Sequence, residues 1–350
     1  MIDLLARRAS SSSSQAPRRR AGLHLALALT LGLGASACAS SGPKVDPEVQ
    51  RAVHVEAARN HYDIGDLDRA IDQAERALAL DEDDINMKLL IAWCYLRRDR
   101  KADLLESERI FLGLERRYED ESRAPLGTAI VSERLAMLHR NTAQDIERGL
   151  EVPLGKDPQK EIERLRSEEK RLFDRAIERY ERLIAEQDDH IEALTGLVRV
   201  NTTLGDKESA LAYSGRLIAT LEAQEIFYSE QLRDQAWDRS VEDDFKRLLR
   251  NTTTRLIRAH QLAAELHFDL GRSSLALGHL DQAIERDPNA SPELYAQRAQ
   301  VLLSMERPER ALEDLERFIA NSSLPVDHPD VQEAWQLRRD ARDAIARPDR

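Results

Sequence analysis

Nine histidines and two cysteines are the residues best suited to metal or nucleophilic chemistry. Four of the histidines form two pairs of equal spacing, His54 with His61 and His260 with His267. Seven residues is two helical turns, so each pair shares one face. Two ligands of one metal on a helix usually stand four apart, and a zinc site would bring further Cys or His nearby. The pairs therefore read as rings used in packing, and no metal is expected. Cys94 lies in the apolar run Leu89–Leu96 and reads as a small buried hydrophobe. Asp81-Glu82-Asp83-Asp84 concentrates charge, but the alternating pattern of a calcium loop is absent. No G-x-x-x-x-G-K-[ST] or G-x-G-x-x-G loop is present, nor H-E-x-x-H or G-x-S-x-G, so no cofactor is expected. An enzyme would have to build its site from residues 221–254, which carry Phe227, Tyr228, Trp237 and Phe245.

The elements that would position these residues are helical. Charged residues make up 33% of the 350, aromatics only 5%. Such a chain, rich in Ala, Leu, Glu and Arg, favours helix over sheet. The first forty residues stand apart. Arg18-Arg19-Arg20 precedes a thirteen-residue apolar run, 21–33, and then Gly34, Ala35, Ser36, Ala37 and Cys38. A helix of that length rises only about 20 Å, short of the roughly 20 residues a bilayer core needs. The order is that of a secretory signal rather than a permanent anchor.

Ala35-Ser36-Ala37-Cys38 resembles the lipobox of bacterial lipoproteins, with Ala35 where Leu is usual. That resemblance implies a signal peptide over 1–37, lipid on Cys38 and a flexible tether over 38–46. Ala39 after the cysteine implies the outer membrane, facing the periplasm. The alternative is ordinary cleavage after Ala37 or Ala39, giving a soluble periplasmic module. A lipidated Cys38 would leave Cys94 without a disulfide partner. Removing residues 1–38 takes the net charge from −12 to −16. So acidic a chain repels phosphate backbones, which argues against nucleic acid as a partner.

Residues 47–350 carry an internal period. In 51–84, Ala57-Ala58 is followed by Gly65, Ala70 and Ala77-Leu78; in 257–290, Ala263-Ala264 is followed by Gly271, Ala276 and Ala283-Ile284. Residues 191–220 supply Gly205 and Ala210, and 292–325 supply Tyr295, Ala299 and Ala311. Ala176 and Ala210 are 34 apart. Antiparallel helices approach closely only where small side chains meet, and each pair then buries its apolar stripe on the next. The pattern resembles the tetratricopeptide repeat. That resemblance implies an all-α, right-handed solenoid of five or six helix pairs, ended by a cap helix over 328–346. The second helix within 85–118 is blurred, 119–188 reads as one pair with a long connection, and 221–254 falls off register. In the charged part of 160–187, which reads as one long helix, Glu163–Arg166 and Glu168–Arg171 are the expected ion pairs.

In proteins resembling this family, ligands lie along the groove lined by the first helix of each pair. The matching residues here are Arg59, Tyr62, Trp93, Arg199, Arg258, Glu265 and Phe268. Both histidine pairs occupy the two positions where the family has aromatic rings. The Lys/Asn clamp that some relatives use on C-terminal carboxylates is not reproduced, because Val55 and Arg59 stand there. The implied function is protein–protein interaction, a scaffold for protein or peptide partners in the cell envelope, and not catalysis.

Overall fold

The computed structural model describes residues 46–346, apart from 119–120, 156, 235–236 and 289–290. Cys38 and the apolar leader lie outside the described residues. The described residues form helices and turns and no strand. In chain order the helices are α1 (Pro47–Asp63), α2 (Leu67–Leu78), α3 (Ile85–Arg98), α4 (Lys101–Arg117), α5 (Arg123–Glu147), α6 (Pro158–Glu186) and α7 (Ile191–Leu204), followed by α8 (Lys207–Asp234), α9 (Arg239–Asp269), α10 (Ser273–Arg286), α11 (Glu293–Ser304), α12 (Pro308–Asn321) and α13 (Pro329–Ala346). No helix among the described residues is long and apolar enough to cross a membrane.

Local signals set the boundaries. Asp46, Asp66, Asp84 and Asp157 each accept a backbone N–H in the first turn of the helix that follows, satisfying donors the helix cannot. Pro47, Pro158 and Pro308 occupy first helical positions, where a missing N–H costs nothing. Gly65 and Gly271 take left-handed φ angles of 83° and 72° and reverse the chain after α1 and α9.

Each helix packs chiefly on its chain neighbours, giving six antiparallel pairs, α1/α2 to α11/α12, with α13 closing the stack. The recurring alanines sit at the crossings as expected. Ala58, Ala70, Ala176, Ala210, Ala276, Ala299 and Ala311 are fully buried, and Ala263 and Ala264 nearly so. Three successive cores fill the stack, one from α1 to α3, a long one from α3 to α9, and a third from α9 to α13. Val331 and Ala334 of α13 cover the last pair, and its other face is solvated.

Two readings are corrected. The second helix within 85–118 is regular: α4 forms a full pair with α3. Its small crossing residue is Ser107, whose hydroxyl donates to the Ala92 carbonyl at 2.8 Å. The 221–254 segment is off register as expected, because it holds the end of α8 and the start of α9, helix that outruns the stack. In α6, Arg171 pairs with Glu168 at 2.7 Å as expected, but Arg166 turns to Glu169 at 3.0 Å and Glu147 at 3.2 Å rather than to Glu163.

α5 and α6 form the long-connected pair, with α5 running on to Glu147. Its overhang, with the start of α6, makes a first arm that has its own small core of Ala143, Ile146 and Leu165. The overhangs of α8 and α9 make a second arm. The first arm interrupts a pair at its turn, and the second joins one pair to the next, so they leave opposite edges of the stack.

Candidate partner-binding face

Each first helix carries one buried residue at its crossing: Ala58, Ala92, Ala129, Val198, Ala264 and Ala299. The residue that follows it turns to the face not used for that packing. In order along the stack these are Arg59, Trp93, Ile130, Arg199, Glu265 and Gln300. Four of the seven residues expected in a groove, Arg59, Trp93, Arg199 and Glu265, thus share one row. Tyr62 and Phe268 lie one turn further along the same helices, and Arg258 lies two turns before Glu265.

The row is stitched crosswise. Arg199 of α7 engages both carboxylate oxygens of Glu133 on α5, which also accepts the Tyr180 hydroxyl at 3.0 Å. Glu133 is 5% exposed and Tyr180 fully buried, so the guanidinium supplies the counter-charge a buried carboxylate needs. Burial, with the Glu133 carboxylate beside it, raises the Tyr180 hydroxyl pKa. The bond to Glu133 raises the Arg199 pKa in turn and keeps it cationic. Further rungs join Arg123 to Asn86 at 3.0 Å, Arg255 to Glu192 at 3.3 Å, Gln297 to Glu265 at 2.8 Å and Gln300 to Glu333 at 3.0 Å.

The expected aromatics are partly spent on packing. Trp93 meets Phe111 edge-on, with centroids 5.1 Å apart, and packs against the long central core. Tyr62 is half-buried under the Arg97 guanidinium, 5.3 Å from its ring. Phe268 packs against the C-terminal core. Arg59 and Arg258 are exposed and form no ion pair among the described residues.

Sequence reasoning missed Ile130, Gln300, Glu133 and the rungs at Glu192 and Arg255. Counting from the buried small residue would have found the first two. Glu133 carries no sequence signal of its own, because its partners are 47 and 66 residues away. The reasoning also missed two glycines at helix contacts. A Cβ on Gly127 would lie 2.4 Å from the Phe111 ring, and one on Gly196 would lie 2.3 Å from the Tyr180 ring. In each case an aromatic of one second helix fills the space beside the next first helix.

The aromatics of 221–254 pack on one another in the second arm. Tyr228 and Trp237 both lie against Phe245, at 6.2 and 5.3 Å, and Phe227 lies against Tyr228. A shallow open cleft beside them is lined by Glu225, Glu230, Arg233, Leu249 and Arg286. Its Arg286 is already tied to Glu222 at 3.1 Å and to Glu225 at 3.4 Å. Cys94 is fully buried, and burial pushes its thiol up to about 12. Among the described residues, no three His, Cys, Asp or Glu groups stand in a metal-holding arrangement.

Residues 55–105 match the tetratricopeptide repeat family. No curated protein matches the chain in sequence. A tetratricopeptide repeat protein from Parabacteroides merdae is 15% identical, with 83% of this chain and 99% of that one covered and a TM-score of 0.36. A thermophilic tetratricopeptide repeat protein from Thermus thermophilus is 23% identical, with 50% and 91% covered and a TM-score of 0.24. The nuclear import adaptor Nro1 is 14% identical, with 83% and 92% covered and a TM-score of 0.45. At these identities and scores, none of the three bears on the partner or the location of this chain.

Proposed function

We propose that this chain is a protein-binding scaffold that takes an extended segment of its partner along the first-helix face. The observation that carries this reading is the row itself: one register position, repeated over six pairs, presents Arg59, Trp93, Ile130, Arg199, Glu265 and Gln300. Arg59 and Arg258 are exposed cations that form no ion pair among the described residues, in an acidic protein. Four helix spacings of about 10 Å separate their helices, roughly 40 Å. An extended peptide of about a dozen residues spans that distance, and carboxylates toward its two ends would meet the two guanidiniums.

The lipobox-like Ala35-Ser36-Ala37-Cys38 supports placing this scaffold in the cell envelope. There a diacylated and N-acylated Cys38 would anchor it to the outer membrane, far beyond the marginal hold of a single chain. A soluble periplasmic module is the alternative, and it differs only in the fate of Cys38. A photo-crosslinking residue placed at position 59 or 265 is expected to capture one and the same protein in membranes. The same residue at exposed Glu285, on α10, is not. Cys38→Ala is expected to move the chain to the soluble fraction. Capture of unrelated proteins from 59 and 265 would end the shared-face reading, and an unmodified, soluble wild type would end the anchor.

A further inference from the structure

The first and fifth pairs match at three positions, two of which hold histidine in both. His54, His61 and Gln73 of pair 1 become His260, His267 and His279 of pair 5, each displaced by 206 residues. In pair 1, His54 Nδ1 lies 2.8 Å from Gln73 Oε1. The amide oxygen accepts from a neutral or a charged imidazole alike. In pair 5, His260 Nδ1 lies 3.0 Å from His279 Nδ1. That contact is a hydrogen bond only while one ring carries the proton and the other does not. With both rings charged, two donors face each other.

The surroundings offer that charge no relief. His260 is 3% exposed, and its Nε2 has no hydrogen-bond partner. His267 stacks on His279 at 5.4 Å and 13°, its own Nδ1 buried and unbonded. From α8, Glu222 approaches His260 Nε2 to 3.9 Å, but its carboxylate is held by Arg286 of α10. Arg272, in the turn, faces His267 and is bound to Glu208 of α8. From α11, Arg298 is held by Asp281 and Asp314. Burial lowers the pKa of all three histidines, and that of His260, with Arg286 and His279 adding to it, falls to about 4.

We propose that His260, His267 and His279 form an acid-sensitive latch, holding α9 on α10 at the root of the second arm and opening when the cluster takes up protons. The direction follows from the values. An opened His260 titrates near 6.5, a closed one near 4. The closed state is therefore fully favoured above pH 6.5, and the advantage is lost as pH falls from there to about 4. Each unit of pH in that window is worth up to tenfold, so at pH 5 the closed state is disfavoured roughly thirtyfold relative to pH 7.5.

Amide hydrogen exchange of the intact chain, corrected for the intrinsic pH dependence, reads this directly. Protection of peptides from 256–267 and 276–284 is expected to drop roughly thirtyfold between pH 7.5 and pH 5. Peptides from α3 and α4, which hold no histidine, keep theirs. His279→Gln recreates the His54–Gln73 pairing but leaves His260 buried beside Arg286, so most of the drop is expected to remain. His260→Gln removes the buried ring and is expected to shrink the drop below about threefold, and His260→Asn carries the same expectation should the first variant fail to fold. Equal wild-type protection at both pH values, or a full drop in a folded His260 variant, overturns the latch.

Discussion

The crossings within pairs and the contacts between the middle pairs are filled in different ways. In pairs 1, 5 and 6, alanine faces alanine: Ala58 and Ala70, Ala264 and Ala276, Ala299 and Ala311. In the middle, Phe111 and Tyr180 of second helices push rings against Gly127 and Gly196 of the following first helices. The alanine contacts lie within a pair, and the ring contacts lie between successive pairs, where glycine leaves the room a ring occupies. Moving the bulk onto a tyrosine also brings in a hydroxyl, and that hydroxyl needs Glu133, which in turn needs Arg199. The central contact thus reaches through to the candidate binding face, and the alanine contacts do not.

The sharpest way to break this comparison is Gly196→Ala. Its Cβ would lie 2.3 Å from the Tyr180 ring, and the fully buried ring has no room to retreat. A loss at or above the usual overpacking range of about 1–3 kcal/mol is expected in chemical denaturation. Adding Tyr180→Leu to it is expected to recover part of that loss. If Gly196→Ala is neutral, the ring does not fill the contact.

Ala276→Leu probes the alanine side and is expected to cost about 1–3 kcal/mol, lowering Tm by a few degrees. Exposed Glu285→Gln in the same helix is expected to stay within about 0.5 kcal/mol of wild type. Equal effects at the two positions would mean that α10 has been assigned the wrong face.

The alanine contacts were legible in the sequence because a close crossing admits few residue types and the period repeats them. Ser107 escaped because the crossing falls deeper in α4, which puts it 15 residues after Ala92 where Ala70 follows Ala58 by 12. Gly127 and Gly196 escaped because glycine inside a helix reads as a weakness of propensity, and only its distant aromatic partner explains it. Residues 221–254 looked off register because the period belongs to packed pairs, and an arm beyond the stack is released from it. His279 was invisible singly: its meaning comes from its match to Gln73 and from a neighbour on another helix. On the binding face, Arg59, Trp93, Arg199 and Glu265 could be placed by counting from a small residue, while Glu133 depends on contacts that only the fold creates.

The central claim is that the first-helix face binds a partner. Its most direct test is the affinity of the protein captured from positions 59 and 265 for an Arg59→Ala/Arg258→Ala double variant. Both side chains are exposed, so circular dichroism and Tm are expected to match wild type. Losing interface anchors of this kind often costs about 2 kcal/mol or more, so the dissociation constant is expected to rise at least thirtyfold. An unchanged affinity in a folded double variant would contradict the account and move the binding surface off this face.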